Sequence, residues 1–198
     1  MIVGAVLAAG VGSRLGRPKA LLDWHGRPLV RHLVEVALRS GLDRVIVVVG
    51  PQAEEVRRAL QGLPVDLVYN YYFGLGQSTS VQAALGALPP GTEAVVFLLV
   101  DQPFISPELV RSVVEAYRRT RRPIVLPQAP GRPGNPVLFS RTLFVELLGL
   151  RGDRGGRVLV QRYADRVAAV PVASDEVFLD IDTWEDYQAA LQRTDWVL

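Results

Sequence analysis

Apolar runs and helical stripes alternate along this chain almost from its first residue. Residues 2–7 form a short, uninterrupted apolar run, the pattern of a strand covered on both faces. Over residues 29–39, Val30, Leu33, Val34 and Ala37 recur at helical spacing, and Gly41 closes the segment. Residues 44–49 repeat the buried-strand pattern, 53–60 read as helix and 65–69 as a third strand. A helix follows over 78–88, with Val81, Ala84, Leu85 and Leu88 on one face and Pro89, Pro90 and Gly91 as its stop. Residues 94–100 make the most apolar strand and are expected near the centre of the sheet. Ser106 and Pro107 supply an N-cap and a first-turn proline for a helix whose buried stripe is Leu109, Val110, Val113, Val114 and Tyr117.

Beyond Pro123 the segments shorten. Residues 124–126 and 137–139 read as strands around a Gly/Pro-rich loop at 128–136. Helices are expected over 143–148 and 155–163, strands over 167–170 and 177–179, and a closing helix over 184–192. This alternation predicts an α/β fold: one doubly wound, mostly parallel sheet with right-handed crossovers and helices on both faces, Rossmann-like in outline. No change of composition marks a linker, so 1–198 reads as a single domain, with 127–165 as a candidate cap within it.

Composition narrows the chemistry more than the fold. With 49% apolar residues the chain buries enough surface to fold, which excludes disorder. Its longest stretch without a polar side chain, residues 1–12, is shorter than the roughly 20 residues a spanning helix needs. Nothing basic precedes the apolar start, so a buried strand is expected there instead of a secretory signal, and a cytoplasmic location follows. The absence of Cys excludes disulfide scaffolds, thiolate metal sites and cysteine nucleophiles. Only His25 and His32 are available for imidazole chemistry. A net charge of +2 is too small for a dedicated nucleic-acid binder. One detail stands out: Lys19 is the one lysine among 22 basic side chains.

Lys19 ends the loop that follows the first strand. Gly10, Gly12 and Gly16 are spaced one residue too long for the dinucleotide fingerprint, and Pro18 prevents a helix from simply continuing. A ribose-binding acid is also missing near residues 29–31, which disfavours an NAD oxidoreductase. A Walker loop fails as well, because Ala20 follows Lys19 where Ser or Thr is required. What remains is a glycine-bearing loop with Arg14, Arg17 and Lys19. Its amides could form a nest for a triphosphate, or it could be a surface loop with solvated charges.

The wider set of motifs is more specific. Leu7, Ala8, Ala9, Gly10, Gly12, Ser13, Arg14, Gly16 and Lys19 resemble the signature of nucleotidyltransferases that activate sugar phosphates, isoprenoid precursors and molybdopterin. Downstream stand the segments 76–81, Asp101-Gln102-Pro103, 134–139, 152–157 and 180–183. In that order they resemble the molybdenum-cofactor cytidylyltransferase branch over nearly the whole chain. Ala9 fits that branch, whereas guanylyl-transferring relatives more often carry Gly there.

The resemblance implies CMP transfer from CTP to molybdenum-molybdopterin with release of pyrophosphate. A guanylyltransferase, another phosphate acceptor such as a sugar phosphate, and a non-catalytic delivery module for a client molybdoenzyme are the alternatives. It further implies nucleotide contacts from Leu7, Ala8, Ala9, Gly10, Gly12, Ser13, Arg14 and Lys19, and from Gln77, Ser78 and Ser80. Arg14, Lys19 and Asp101 are the expected catalytic residues. Asp101 is also the expected Mg²⁺ ligand, since a carboxylate at a strand end facing phosphates needs an intervening cation. Asp182 is a second metal ligand, a cap of the last helix with Glu185 completing the box, or both through its two oxygens. Asp180 is expected on the opposite face in a structural role, and Ser78 as an ordinary N-cap. Asn135 and Asp153 are expected on the acceptor side, in the 127–165 cap. Many relatives have His where Asn135 stands, so an imidazole-specific role does not transfer.

Overall fold

Every residue of β1 (Ile2–Ala8) is buried, and the rest of the sheet is laid out from it. It pairs in parallel with β4 (Arg44–Val49) on one side and β6 (Ala94–Leu99) on the other. The computed structural model describes residues 1–10, 15–153 and 155–193. Among them the main sheet runs β10 (Val167–Pro171), β7 (Ile124–Ala129), β9 (Val137–Ser140), β6, β1, β4, β5 (Asp66–Tyr69), with β8 (Arg132–Pro133) paired on β7. All pairings are parallel except those of β9 and β8, which run against their neighbours.

Two cores cover the two faces. Val6, Ala8, Val45, Val47 and Val49 pack against α1 (Leu29–Leu38), α2 (Ala53–Ala59) and α4 (Pro107–Thr120). Val3, Ala5, Leu7 and Ala9 face α3 (Gln77–Gly86), α5 (Phe144–Leu148) and α6 (Arg157–Arg162). The period-two alternation along β1 thus feeds both cores, which is why the run shows no polar positions. A third cluster joins α7 (Trp184–Leu191) to the small hairpin of β2 (Asp23–Trp24) and β3 (Arg27–Pro28) through Trp24, Leu29, Phe104, Ile181 and Tyr187.

The fold is the doubly wound, mostly parallel α/β sheet expected. From β1 the chain builds outward to β4 and β5, then returns as β6 to the other side of β1. That reversal opens a crevice at the carboxyl ends of β1 and β6, where open α/β sheets take their ligands. Ser106 caps α4, its hydroxyl accepting from the Leu109 amide at 3.2 Å, with Pro107 in the first turn.

Several local expectations are corrected. Residues 177–179 are not a strand: Asp175–Phe178 forms a 3-10 turn that buries Phe178. The 128–136 loop is partly ordered, because β7 runs to Ala129 and turns back as β8. Segment 127–165 is woven into the sheet, since β9 lies between β6 and β7. Trp24 is buried in the third cluster, and Trp184, 40% exposed, packs edge-on against Tyr187.

His32 ties α1 to the turn beyond β6. Its Nε2 donates to the Pro103 carbonyl at 2.8 Å, and Nδ1 accepts from the Arg27 guanidinium at 3.1 Å. Burial, with further opposition from Arg27 and Arg39, lowers the His32 pKa, against smaller raising effects of the Pro103 bond and Glu35. The folded chain therefore holds His32 neutral, and unfolding lets it take up a proton. The stability this contributes is full above the ordinary histidine value of about 6.5 and falls as pH drops toward the lower folded value. Thermal melts between pH 7.5 and 5.5 should show Tm declining below pH 6.5, and His32→Gln should flatten that decline. An unchanged slope in the variant would assign it to other groups.

Candidate active site

The crevice is built from three distant stretches of chain. Past β1, Ala9 and Gly10 line a cavity of about 400 Å³ together with Lys19, Gln77, Ser80, Asp101, Asp153 and Asp182. Lys19 opens a 3-10 turn (Lys19–Leu21) anchored by buried Ala20 and Leu22. Asp101 sits in the turn after β6, where the Val100 amide still donates to the Leu7 carbonyl at 3.3 Å. The Ile181 amide donates to the Asp101 carbonyl at 2.9 Å, and this one backbone bond brings Asp182 alongside. Ile181 itself is anchored in the third core.

Lys19 Nζ donates to Asp101 Oδ2 at 2.8 Å and to Asp182 Oδ1 at 2.6 Å. Burial alone would lower the lysine pKa, but the charges and hydrogen bonds of Asp101 and Asp182 together outweigh it and raise it. Lys19 is thus a fixed cation at neutral pH. Asp180 stands nearby, its Oδ1 accepting from Gln102 Nε2 at 2.8 Å. Burial, more than the repulsion of Asp101 and Asp182, pushes its pKa up, against the Gln102 bond and Lys19. Two carboxylates, Asp101 and Asp182, meet one ammonium, so among the described residues this contact carries more negative charge than Lys19 neutralises.

Asp182 does not cap α7. Thr183 is the N-cap, its hydroxyl accepting from the Asp186 amide at 3.1 Å while the Asp186 carboxylate accepts from the Thr183 amide at 2.8 Å. Asp186, not Glu185, closes the box. The Asp182 carboxylate is therefore available to Lys19. Asp101 and Asp182 both contact one cationic atom and fit a divalent ion. Among the described residues no group of three His, Cys, Asp or Glu side chains is arranged to hold one unaided. Such an ion would complete its shell with phosphate oxygens and water.

The opposite wall is the start of α3. Gly76 has φ of +100°, and a Cβ there would lie 2.4 Å from the Gly152 carbonyl carbon. The Ser78 amide donates to the Gly152 carbonyl at 3.0 Å, which joins α3 to the 152–153 turn. Ser78 is consequently buried and does not cap the helix. Sequence reasoning missed Asn70, which is buried and donates to Thr79 Oγ1 and Ser80 Oγ while accepting from the Tyr72 amide. Its signal was an asparagine directly after a strand, which is indistinguishable from an ordinary turn residue. Gly50 was also missed: a Cβ there would lie 2.6 Å from the Ala9 carbonyl oxygen.

A larger cavity of about 510 Å³ adjoins the first through Leu7, Gln77, Leu99 and Asp153. Asn135 and Asp180 line it, with Phe97, Phe139 and Phe178 as apolar walls. Asp180 thus faces a cavity instead of serving only as structure. Of the residues singled out from sequence, Leu7, Ala9, Gly10, Lys19, Gln77, Ser80, Asp101, Asn135, Asp153 and Asp182 line one cavity or both. Ala8 and Ser78 do not, Ala8 being packed in the core beneath α1. Gly12, Ser13 and Arg14 lie outside the described residues, and Arg17 is exposed.

A family model for the MobA-like NTP transferase domain matches residues 4–167. The chain belongs to that family. It is a family of nucleotidyltransferases, and the matched span holds Lys19 and Asp101, whereas Asp180 and Asp182 follow it. The molybdenum cofactor cytidylyltransferase of Escherichia coli is 26% identical over 192 residues, covering 95% of this chain and 94% of the relative. A nicotine blue oxidoreductase from Paenarthrobacter nicotinovorans is 31% identical over 196 residues, with 93% of both chains covered. Among solved structures, a manganese complex of Rv0371c from Mycobacterium tuberculosis superposes with a TM-score of 0.84 at 32% identity, covering 98% of this chain and 99% of that one.

Packing of α3 on the 152–153 turn makes Gly76 irreplaceable. Gly76→Ala should lower unfolding stability by at least about 2 kcal/mol, through its positive φ and the contact with Gly152. Urea denaturation that shows no loss would mean that this wall of the crevice packs differently.

Proposed function

We propose that this MobA-like domain transfers CMP from CTP to the terminal phosphate of molybdenum-molybdopterin, giving the cytosine dinucleotide cofactor and pyrophosphate. The observation carrying this reading is the contact of Lys19 with both Asp101 and Asp182 beside the end of β1. The cytidylyl preference rests on Ala9 and on the similarity to the Escherichia coli enzyme.

The smaller cavity takes the nucleotide. The glycine-bearing loop after β1 receives phosphate oxygens beside the fixed positive charge of Lys19, and Gln77 and Ser80 reach the nucleotide from the start of α3. Lys19 leaves one or both carboxylates to balance charge accumulating on the pyrophosphate, and Arg14 assists from the loop. Asp101 and Asp182 would hold Mg²⁺, which would supply Lewis-acid neutralisation of phosphate charge. The acceptor phosphate oxygen forms a bond to that phosphorus, the bond to the β-phosphate bridging oxygen breaks, and its electron pair leaves with pyrophosphate. A phosphate monoester is already largely dianionic at neutral pH, so no general base is needed. Asn135 and Asp153 position the acceptor in the larger cavity. A client molybdoenzyme receives the product.

Purified protein incubated with each nucleoside triphosphate, Mg²⁺ and molybdenum cofactor should yield the cytosine dinucleotide product by mass spectrometry. A guanine product would shift the assignment to the guanylyl branch, and a sugar nucleotide to another acceptor. The 31% identity to an oxidoreductase supports a second reading. Nicotinamide-dependent reduction of a dye-like heterocycle without nucleotide transfer would favour it.

Lys19→Ala and Asp101→Ala should each lower turnover at least about 100-fold. They should diverge in metal binding measured by Mn²⁺ resonance without nucleotide. Lys19→Ala should bind Mn²⁺ more tightly than the parent, because a competing cation is gone, and Asp101→Ala more weakly. Equal metal affinity in all three proteins would remove the two carboxylates from the metal site.

A further inference from the structure

One polar group in the larger cavity has no role in the reaction just described. Gln102 lines that cavity, is 3% exposed, and its Oε1 has no hydrogen-bond partner. The orientation of its amide is fixed chemically. Nε2 donates to Asp180 Oδ1, and the flipped amide would set oxygen against a carboxylate. Folded proteins leave few buried acceptors unpaired, because an acceptor stripped of water and given no partner is costly. One on the wall of a cavity is explained by a ligand that pairs with it.

We propose that Gln102 and Asp180 read the ring edge of the acceptor and so determine its specificity. The pair offers two acceptors, Gln102 Oε1 and the Asp180 carboxylate, on the wall of one cavity. They select a planar heterocycle with two adjacent N–H donors, a guanidine-like edge, and repel a ring that presents carbonyl oxygen there. Phe97, Phe139 and Phe178 supply apolar walls for such a ring. Gly134 lets backbone lie against Phe178, because a Cβ would meet that ring at 2.3 Å. The inference rests on reading the larger cavity as the acceptor's. It assigns no part in bond making to Gln102, which acts on binding of the acceptor.

Pterin and lumazine separate this role from a structural one. They share a bicyclic ring, but lumazine carries a carbonyl where pterin carries an amino group. Binding is followed by quenching of each compound's own fluorescence, with thermal melts to verify folding. The parent protein should bind pterin at least about tenfold more tightly than lumazine. Gln102→Met and Asp180→Ala should each shrink that ratio toward one, and either variant suffices should the other misfold. No measurable pterin binding at millimolar concentration, equal binding of both compounds by the parent, or a ratio surviving both substitutions overturns the proposal. CMP transfer plays no part in the measurement. A chain that discriminates the rings but transfers no CMP refutes the reaction and leaves this assignment, and a chain that transfers CMP without discriminating does the reverse.

Discussion

An ammonium held between two carboxylates organises the crevice of this protein. Lys19, Asp101 and Asp182 come from a loop, the end of a strand and the approach to the last helix, yet Nζ lies 2.8 Å and 2.6 Å from the two acids. Partial burial makes each charge costly alone, and their pairing offsets that cost. The backbone bond between Ile181 and Asp101 and the anchoring of Ile181 among Trp24, Phe104 and Tyr187 keep the third stretch of chain in place. Because two carboxylates share one lysine, this contact retains an appetite for positive charge, which a divalent ion would satisfy.

The sheet supplies the setting. Strand order reverses beside β1, so the loops after β1 and β6 splay apart and leave space between them. Glycine allows the walls to close on that space. Gly50 lets β4 end against the Ala9 carbonyl, and Gly76 lets α3 start against Gly152. Segment 127–165 contributes both a strand within the sheet and the far wall of the larger cavity. Residues on that wall are therefore held by core packing through Phe139 and Leu159.

A MobA-like domain is not tied to one reaction. A cytidylyltransferase and an oxidoreductase both resemble this chain over more than nine-tenths of its length. Fold alone does not choose between them, and the side chains of the crevice must. In the reaction proposed above, Lys19 between two carboxylates serves phosphate and metal chemistry, while the aromatic larger cavity takes the flat ring of the acceptor. The distinction between the two chemistries thus falls on the smaller cavity.

Alternating apolar runs were enough to define the buried strands and long helices, because a strand covered on both faces and a helix with one apolar stripe leave different spacings. The loop after β1, Lys19 and Asp101 were legible for a related reason: glycine, a lone lysine and an acid at strand ends stand out locally. Short elements after Pro123 were harder, since 177–179 has a strand-like composition but buries Phe178 from a 3-10 turn. The partner of Asp182 was beyond local reading. Whether it capped α7 or turned to Lys19 depended on Thr183 and Asp186 closing the cap themselves. Asn70, Gly50 and the unpaired oxygen of Gln102 were likewise invisible, because each is defined by groups distant in the chain. Sequence determined what each segment buries, a property of side chains and their period. Tertiary structure decided which charges meet, because that depends on the strand order and on a single backbone bond spanning residues 101 and 181.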